Sequence, residues 1–257
     1  MNLLHIIKMK SNAINLSEKI PFPETVMAKF TKIFIKPFAP EDEEGLQTLL
    51  NFDEMAYFQQ NDTPKDHEPP RYTLQEIKDI FNHGEIYGIY GIPLGKNEEE
   101  MIGCYIFENK DEKPDALYIG GLDIHPDYRD LGLGSWVLQI AEEIAKTTDG
   151  IKSLTLTVDP LNGRGLNAYL RFGFRVIGFE KDHFGPRTDR FLMEKILEEP
   201  PIANYAIERI VSCGNTEELQ RAANDHLWGV KLERPQTHEP QDNYHNRVVF
   251  IKPLFHL

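Results

Sequence analysis

The feature that most constrains the fold is a short segment, Leu122–Ser135, in which a strand ends, the chain turns and a helix begins. Its letters read LDIHPDYRDLGLGS. Gly132 and Gly134 lack side chains, so successive backbone N–H groups can converge there on an anion. The following helix adds the positive end of its dipole and its unpaired N–H groups. The segment predicts an anion-binding βα turn, although the two glycines alone also fit an ordinary one.

The hydrophobic pattern around this turn predicts a mixed α/β fold. Strand, helix, strand, helix, strand follow one another in the middle of the chain, which implies a βαβ unit with parallel strands. The doublet Gly120–Gly121 lies inside a predicted strand and indicates a bulge or a close backbone approach. An acidic, proline-rich stretch, residues 53–71, is interpreted as a long loop. Strands are predicted at 30–38, 86–90, 101–107, 117–124, 154–158, 174–180, 190–194, 205–211 and 247–251, and helices at 40–50, 73–81, 134–147, 162–172 and 216–225.

Composition excludes several classes of partner. The 257-residue chain has a formal net charge of -13, which opposes both nucleic acids and anionic membranes. We therefore expect neither as a partner. Cys104 and Cys213 lie far apart in no metal-ligand spacing, so we expect no metal and a reducing compartment. The apolar start of the chain is too short for a signal peptide or a membrane span, and a cytoplasmic location is expected.

Two motifs resemble those of the GNAT acyltransferases. Arg129, Gly132 and Gly134, after a strand that ends at Ile124, are similar to the family's motif A (Gln or Arg, two residues, Gly, any residue, Gly or Ala). Residues 162–174, NGRGLNAYLRFGF, resemble motif B, although a glycine at 165 replaces the usual alanine. Both motifs in this order, separated by one helix and one strand, form a specific joint signal. The resemblance spans roughly residues 29–197.

The resemblance implies an α/β fold (an α+β mixed sheet): the GNAT acyltransferase fold, whose two splayed central parallel strands admit the pantetheine arm of the cofactor. A small α/β extension would follow at the C-terminus. The domains we expect are an N-terminal leader at 1–28, loosely attached, a GNAT domain at 29–198 and a C-terminal extension of unknown role at 202–257. Glu198–Pro201 is interpreted as the linker between the last two.

The resemblance also implies the site residues. Acetyl-CoA would bind through main-chain contacts at Leu122 and Ile124 and pyrophosphate contacts along the loop. The implied cofactor-binding residues are Leu122, Asp123, Ile124, Arg129, Asp130, Leu131, Gly132, Leu133, Gly134, Ser135, Asn162 and Tyr169. Tyr169 would be the general acid that protonates the departing thiolate, since a phenol stays protonated at neutral pH.

Several residues keep alternative interpretations. Asp123 is a candidate general base, acting directly or through water, but it could equally point away into solvent. Tyr118 occupies the strand position where some family members carry a carboxylate that acts as the general base, so that base is absent here. Tyr169 could be a core tyrosine, and Arg129 could support the loop or meet a phosphate. Asn162 is interpreted as a helix cap and a cofactor contact at once. Asp182, His183 and Asp189 form either a solvated turn or the mouth of a substrate site. The acidic residues from Glu41 to Glu68 form either a solvated face or the rim of an acceptor pocket.

The function predicted from these residues is transfer of an acetyl group from acetyl-CoA to a primary amine of a small molecule or peptide. The alternative is a catalytically weak, GNAT-like module that binds acetyl-CoA as a sensor or interaction protein. A homodimer formed through the C-terminal extension is a further possibility.

Overall fold

The computed structural model of the chain describes residues 19–58, 72–110, 112–198, 206–233 and 246–252. The chain divides into two compact units, unit 1 with residues 1–59 and 71–154 and unit 2 with residues 60–70 and 155–257. Both mix helices and strands, which confirms the predicted mixed α/β class.

Unit 1 begins with a short helix that the sequence did not predict, and from Phe30 its helices and strands follow the predicted order. Its elements are α1 (Glu24–Met27), β1 (Phe30–Pro37), α2 (Glu43–Phe58), α3 (Leu74–Ile80), β2 (Gly84–Pro93), β3 (Glu100–Glu108), β4 (Ala116–Ile124) and α4 (Leu133–Thr147).

Strands β1 to β4 form an antiparallel meander in which each strand pairs with the next. Ile86, Cys104 and Ile106 belong to a buried cluster that also contains side chains of α2 and α3. Because side chains alternate along a strand, the intervening Tyr87 and Tyr105 lie on the opposite face. Helix α4 packs against β4 and β3.

Helix α2 is longer than predicted. It continues to Phe58, whereas the loop was expected to begin at Asp53. Phe52 and Ala56 are buried, 7% and 0% exposed, one turn apart on the side that begins with Leu49. This apolar periodicity extends the helix despite the acidic residues between them. The rest of the predicted loop, 59–71, lies outside the described residues.

Helix α3 begins and ends where its sequence indicates. Thr73 forms a capping box: its hydroxyl accepts from the Glu76 N–H at 3.2 Å, and the Glu76 carboxylate accepts from the Thr73 N–H at 2.7 Å. Such caps satisfy two N–H groups that the helix leaves unpaired. The cap fixes the short segment that enters α3 from Tyr72.

Unit 2 contains the motif B helix and the C-terminal elements. They are β5 (Ser153–Val158, whose first two residues fall in unit 1), α5 (Gly163–Arg171), β6 (Arg175–Glu180), β7 (Arg190–Ile196), β8 (Ile207–Ser212), α6 (Thr216–Asn224), β9 (Trp228–Glu233) and β10 (Arg247–Ile251).

The strands of unit 2 lie in the order β5-β7-β6-β9-β10-β8. Strands β6 and β7 are antiparallel, as predicted. Strand β9 was missed in the sequence. It meets β6 at the pair Val176 and Gly229, and a β-carbon at Gly229 would lie 2.7 Å from Val248 Cγ1 and 2.9 Å from Val176 Cβ. The glycine that permits this approach also interrupts the alternating pattern by which a strand is predicted.

Candidate functional site

Strand β4 contains a β-bulge at the predicted glycine doublet. Ile106 of β3 pairs with Gly120 and Cys104 pairs with Asp123, so three steps along β4 match two along β3. Gly121 has φ +48°, and a β-carbon there would lie 2.8 Å from Ile106 Cδ1. Side chains alternate along a strand, so without the bulge Gly120 and Asp123 would lie on opposite faces of the sheet. The extra residue places Asp123 on the same face as Gly120 and Cys104.

The chain leaves β4 through a 3-10 turn, Pro126–Tyr128, and enters a segment that we call the glycine loop, Arg129–Ser135. Asp130 and Gly132 have φ of +61° and +91°, in the left-handed region that favours glycine. Gly132 is the N-cap of α4, and Leu133 is the first residue of the helix. Two left-handed residues thus turn the chain sharply into α4.

The start of α4 presents a row of backbone N–H groups. Its first helical hydrogen bond runs from the Trp136 N–H to the Gly132 carbonyl at 2.9 Å, so the amides of Leu133, Gly134 and Ser135 precede the helical ladder. A β-carbon at Gly134 would have no described atom within 4 Å. These amides and the positive end of the helix dipole face space that can hold an anion.

Arg129 supports the glycine loop. Its Nε donates to the carbonyl of Ile124 at 3.1 Å, and its Nη2 donates to the carbonyl of Ala56 at 2.7 Å. The guanidinium thus connects the end of β4 with α2. The sequence suggested that Arg129 either supports the loop or meets a phosphate, and these two nitrogen atoms support the loop.

Residues 20–25, which we call the N-terminal strap, lie against the glycine loop and α4. The Phe22 ring stacks on the Trp136 indole with ring centroids 4.2 Å apart. The Thr25 hydroxyl donates to the carbonyl of Leu131 at 2.7 Å. The loop is therefore held by residues more than a hundred positions earlier in the chain.

The strap also limits the space beside the loop. A β-carbon at Gly132 would lie 3.2 Å from Pro23 Cγ, and the Trp136 indole N–H donates to the carbonyl of Ile20 at 3.0 Å. These contacts correct the expectation that the whole leader is loosely attached, because its described part packs on unit 1. Residues 1–18 lie outside the described part of the chain.

A second polar group lies on the face of β4 that holds Asp123. We call it the carboxylate cluster: Asp53, Tyr72, Glu108, Tyr118 and Asp123. Burial of the Tyr72 phenol raises its pKa, and Tyr118, Glu108, Asp53 and Asp123 raise it further. Glu108 and Tyr118 are direct partners across β3 and β4. The cluster thus draws its side chains from α2, the segment before α3 and two strands.

Asp123 is 6% exposed, so the alternative in which it points away into solvent is wrong. Opposite it, Cys104 is buried as predicted, and its Sγ lies 3.6 Å from the Gly121 carbonyl oxygen. Burial raises the pKa of the Cys104 thiol, and the charges of Asp123 and Asp53 raise it further. The thiol therefore stays protonated, and its position indicates packing.

Sequence reasoning missed two members of this region. Glu108 is 6% exposed, and its Oε2 lies 2.7 Å from His83 Nε2. In the sequence, Glu108 starts a polar loop and His83 ends a helix, so neither stands out. The register that places Glu108 opposite Tyr118 depends on strand pairing and the bulge, which no local pattern reveals.

In unit 2, Asn162 caps α5, as predicted. Its side-chain oxygen accepts from the Gly165 N–H at 2.9 Å. Tyr169 is half-buried on α5, and its ring meets the edge of Phe174 with centroids 6.0 Å apart. Gly173 has φ +98° and ends the helix as expected. Motif B is therefore a capped helix that carries Tyr169 on a partly exposed face.

The turn between β6 and β7 has a structural explanation. Asp182 accepts from the Arg187 N–H, and Asp189 accepts from both the Asp182 N–H at 3.0 Å and the Thr216 hydroxyl at 3.0 Å. His183 contacts Glu180. These bonds support the turn interpretation over a substrate mouth.

Two kinds of feature are absent from the described residues. None of their helices is long and apolar enough to cross a membrane. None of their groups of His, Cys, Asp and Glu side chains could hold a metal ion.

Comparison with known proteins identifies the class. The sequence model of the "Acetyltransferase (GNAT) family" matches residues 50–174. This stretch contains the whole glycine loop and motif B. Residues 50–174 therefore form a domain of the GNAT acetyltransferase family, whose members are transferases that move acyl groups.

Solved structures are similar to the chain at low identity. An N-acetyltransferase from Staphylococcus aureus Mu50 is 19% identical with a TM-score of 0.51, and the match covers 66% of this chain and all of that one. The ribosomal-protein-S18-alanine N-acetyltransferase from Escherichia coli is 16% identical (TM-score 0.48; 68% and 100% covered). A GNAT family acetyltransferase from Elizabethkingia anophelis with acetyl-CoA bound is 20% identical (TM-score 0.46; 65% and 99% covered). No curated protein sequence matches the chain. The first of these structures supports the predicted GNAT fold.

Proposed function

We propose that this protein is an acetyl-CoA-dependent N-acetyltransferase whose acceptor is a primary amine of a small molecule or peptide. The amine attacks acetyl-CoA directly while both are bound. The observation that carries the proposal is the start of α4, where Gly132 in the left-handed region aligns the amides of Leu133, Gly134 and Ser135.

The residues of the glycine loop fit the diphosphate of coenzyme A. Backbone amides at a helix N-terminus bind phosphate oxygens through hydrogen bonds and the helix dipole. A β-carbon at Gly134 would meet no described atom within 4 Å, so the first turn of α4 is uncrowded. Asp130, Leu131 and Arg129 complete the loop, with Arg129 holding it to β4 and α2.

Further contacts follow from the family resemblance. Main-chain groups of Leu122 and Ile124 would bind the pantetheine arm, and an N–H of this strand would stabilise the charge that develops on the thioester oxygen. Asn162 would contact the cofactor while capping α5. Acetyl-CoA supplies the acetyl carbonyl and a thiolate leaving group.

We propose that Tyr169 protonates this thiolate. Its partly exposed position on α5 permits contact with a bound ligand. A neutral phenol donates readily to a thiolate, whose conjugate acid has an ordinary pKa of about 8.5. Asp123, buried on β4, is the base candidate that the sequence indicated.

Two measurements test the function. Titration calorimetry with acetyl-CoA should show binding, and thiol release should follow when cadaverine, tyramine or a tripeptide with a free N-terminus is added. Tyr169→Phe should lower kcat about 100-fold or more while the Kd for acetyl-CoA stays within about twofold. Tyr90→Phe, which removes a half-buried hydroxyl from β2, is the matched control and should leave both unchanged.

Three other outcomes would each contradict a different part of the proposal. Absence of binding to acetyl-CoA would refute the proposed function. Binding without thiol release from any amine would favour the alternative, a module that holds acetyl-CoA without turnover. Full activity in Tyr169→Phe would remove only the role of Tyr169.

A further inference from the structure

We infer that Glu108 is the general base of the proposed reaction and that His83 positions its carboxylate. The inference rests on the proposed acetyl transfer and names a residue of the same site. It follows from three observations on unit 1: the burial of Glu108, its hydrogen bond to His83 and its place beside the β4 bulge.

Glu108 is a buried carboxylate with its two oxygens in different surroundings. Oε2 lies 2.7 Å from His83 Nε2. Oε1 lies 3.4 Å from the position of a β-carbon on Gly120. One oxygen is therefore held by the histidine, while the other faces the backbone of β4 where the bulge begins.

The glycine at position 120 leaves this approach uncrowded. A side chain at position 120 would stand between the Glu108 carboxylate and β4, with Tyr118 Cε1 3.1 Å from its β-carbon. Gly120 precedes Leu122 by two residues, and Leu122 is the residue proposed to bind the pantetheine arm. Oε1 thus lies near the stretch of β4 along which the thioester is expected.

His83 connects the buried carboxylate with solvent. The His83 side chain is 40% exposed, whereas that of Glu108 is 8% exposed. A histidine hydrogen bond fixes the orientation of a carboxylate, as it does in catalytic pairs built from these residue types. His83 touches Glu108 rather than the reacting atoms, so it is a positioning residue.

Other charged and titratable groups belong to the surroundings of Glu108. Tyr118 is its direct partner across β3 and β4, and the Lys110 Nζ lies 3.5 Å from the centre of the Tyr118 ring. Glu108, Asp53 and Asp123 each contribute to the raised pKa of Tyr72.

The step balances as follows. An N–H bond of the acceptor ammonium breaks, and an O–H bond forms on Glu108 Oε1. The amine nitrogen keeps the electron pair and forms a bond to the acetyl carbon. The carbon–sulfur bond breaks, and the thiolate takes its proton from the proposed acid, Tyr169. The nitrogen then loses a second N–H proton to water as the neutral amide forms, and water returns a proton to the Tyr169 phenolate. After the products leave, Glu108 gives its proton to water, so that one proton is released overall.

The test is the pH dependence of acetyl transfer by Glu108→Gln, with the amine that wild type acetylates fastest as the probe. We expect kcat to fall about 100-fold or more, because a base contributes on this scale. The acidic limb of the kcat/KM profile should disappear, and the Kd for acetyl-CoA should stay within about twofold. His83→Asn should lower kcat less, about tenfold, and shift the same limb.

Glu85→Gln is the matched control. Glu85 is also 6% exposed, but it lies on the other face of the meander, where it contacts the Tyr87 hydroxyl. The same chemical change there should leave the pH profile as in wild type. Asp123→Asn tests the competing base directly.

The outcomes separate the two proposals. If wild type releases no thiol with any amine, the proposed function fails and the inference with it. If wild type is active and Glu108→Gln keeps its rate and its acidic limb, the inference alone fails. Loss of the limb in Asp123→Asn, with Glu108→Gln unaffected, would also overturn it.

Discussion

The glycine loop and the carboxylate cluster both adjoin β4, but they are built in opposite ways. The glycine loop is one continuous segment, and its geometry depends on the φ of Asp130 and Gly132. The carboxylate cluster draws side chains from α2, from the segment before α3, and from β3 and β4. Its geometry depends on strand register. One region is specified by local conformation, and the other by tertiary structure.

This difference decides what a sequence can reveal. A glycine before a helix leaves a visible pattern, so the turn between β4 and α4 could be predicted, with the start of the helix within one residue. The cap of Asn162 and the end of α5 at Gly173 were predicted for the same reason. No local pattern marks Glu108, because its surroundings are created by its pairing with Tyr118 on β4.

The first prediction concerns the glycine loop and has the largest expected effect. Gly132→Ala should weaken acetyl-CoA binding at least about tenfold, since turning one amide away loses a hydrogen bond to a charged group of about 1.5–3 kcal/mol. The free energy of unfolding should also fall by about 1–2 kcal/mol, the cost of a left-handed alanine. Calorimetry and urea unfolding measure the two effects.

Gly134→Ala is the matched control for that prediction. A β-carbon at Gly134 meets none of the described atoms within 4 Å, and motif A accepts alanine there. Stability should rise by up to about 1 kcal/mol, and affinity should change by less than about threefold. Equal effects of the two substitutions would mean that the loop is not defined by the φ of Gly132.

The second prediction concerns the carboxylate cluster. The folded protein keeps Tyr72 neutral to higher pH than the unfolded chain does, because its pKa is raised. The stability that results is complete below about pH 10 and is lost as pH rises further. In wild type one such tyrosine lowers the free energy of unfolding by at most about 1.4 kcal/mol per pH unit above pH 10.

Tyr72→Phe should therefore make this fall shallower, by less than about 1.4 kcal/mol per pH unit, because Tyr72 is 39% exposed and solvent screens its surroundings. Urea unfolding between about pH 10 and pH 11.5 measures the slope. Tyr87→Phe should have the same effect, since burial and Glu85 raise the pKa of Tyr87 as well. A slope unchanged in Tyr72→Phe alone would show that its phenol does not lie among the carboxylates.

The third prediction has the smallest effect and tests whether the glycine loop is purely local. Thr25→Ala removes the hydrogen bond from the strap to the Leu131 carbonyl, and we expect acetyl-CoA affinity to fall about two- to threefold, because a neutral hydrogen bond contributes about 0.5–1.5 kcal/mol. Thr31→Ala removes a similar bond, 3.1 Å long, to the Ile92 carbonyl and should leave affinity unchanged. Equal affinities in both variants would show that the strap does not help to hold the loop.

The fold shows the same division between local and tertiary information. Predicted strands and helices were confirmed wherever an apolar period and a cap agreed, as at Thr73 and α3. Helix α2 extended past Asp53 because buried Phe52 and Ala56 outweigh its acidic composition. Strand β9 was missed because Gly229 is placed by neighbours on β6 and β10 rather than by its own propensity.

That glycine has a consequence for solubility. Without β9, strand β6 would offer a bare row of amide and carbonyl groups, the kind of border that templates intermolecular pairing. Close packing at Gly229 lets β9 lie against β6. The edge strand at this end of the sheet is therefore β8, the last strand in the order. We therefore expect truncation after residue 198 to cause aggregation through β6, independently of any effect on acetyl transfer.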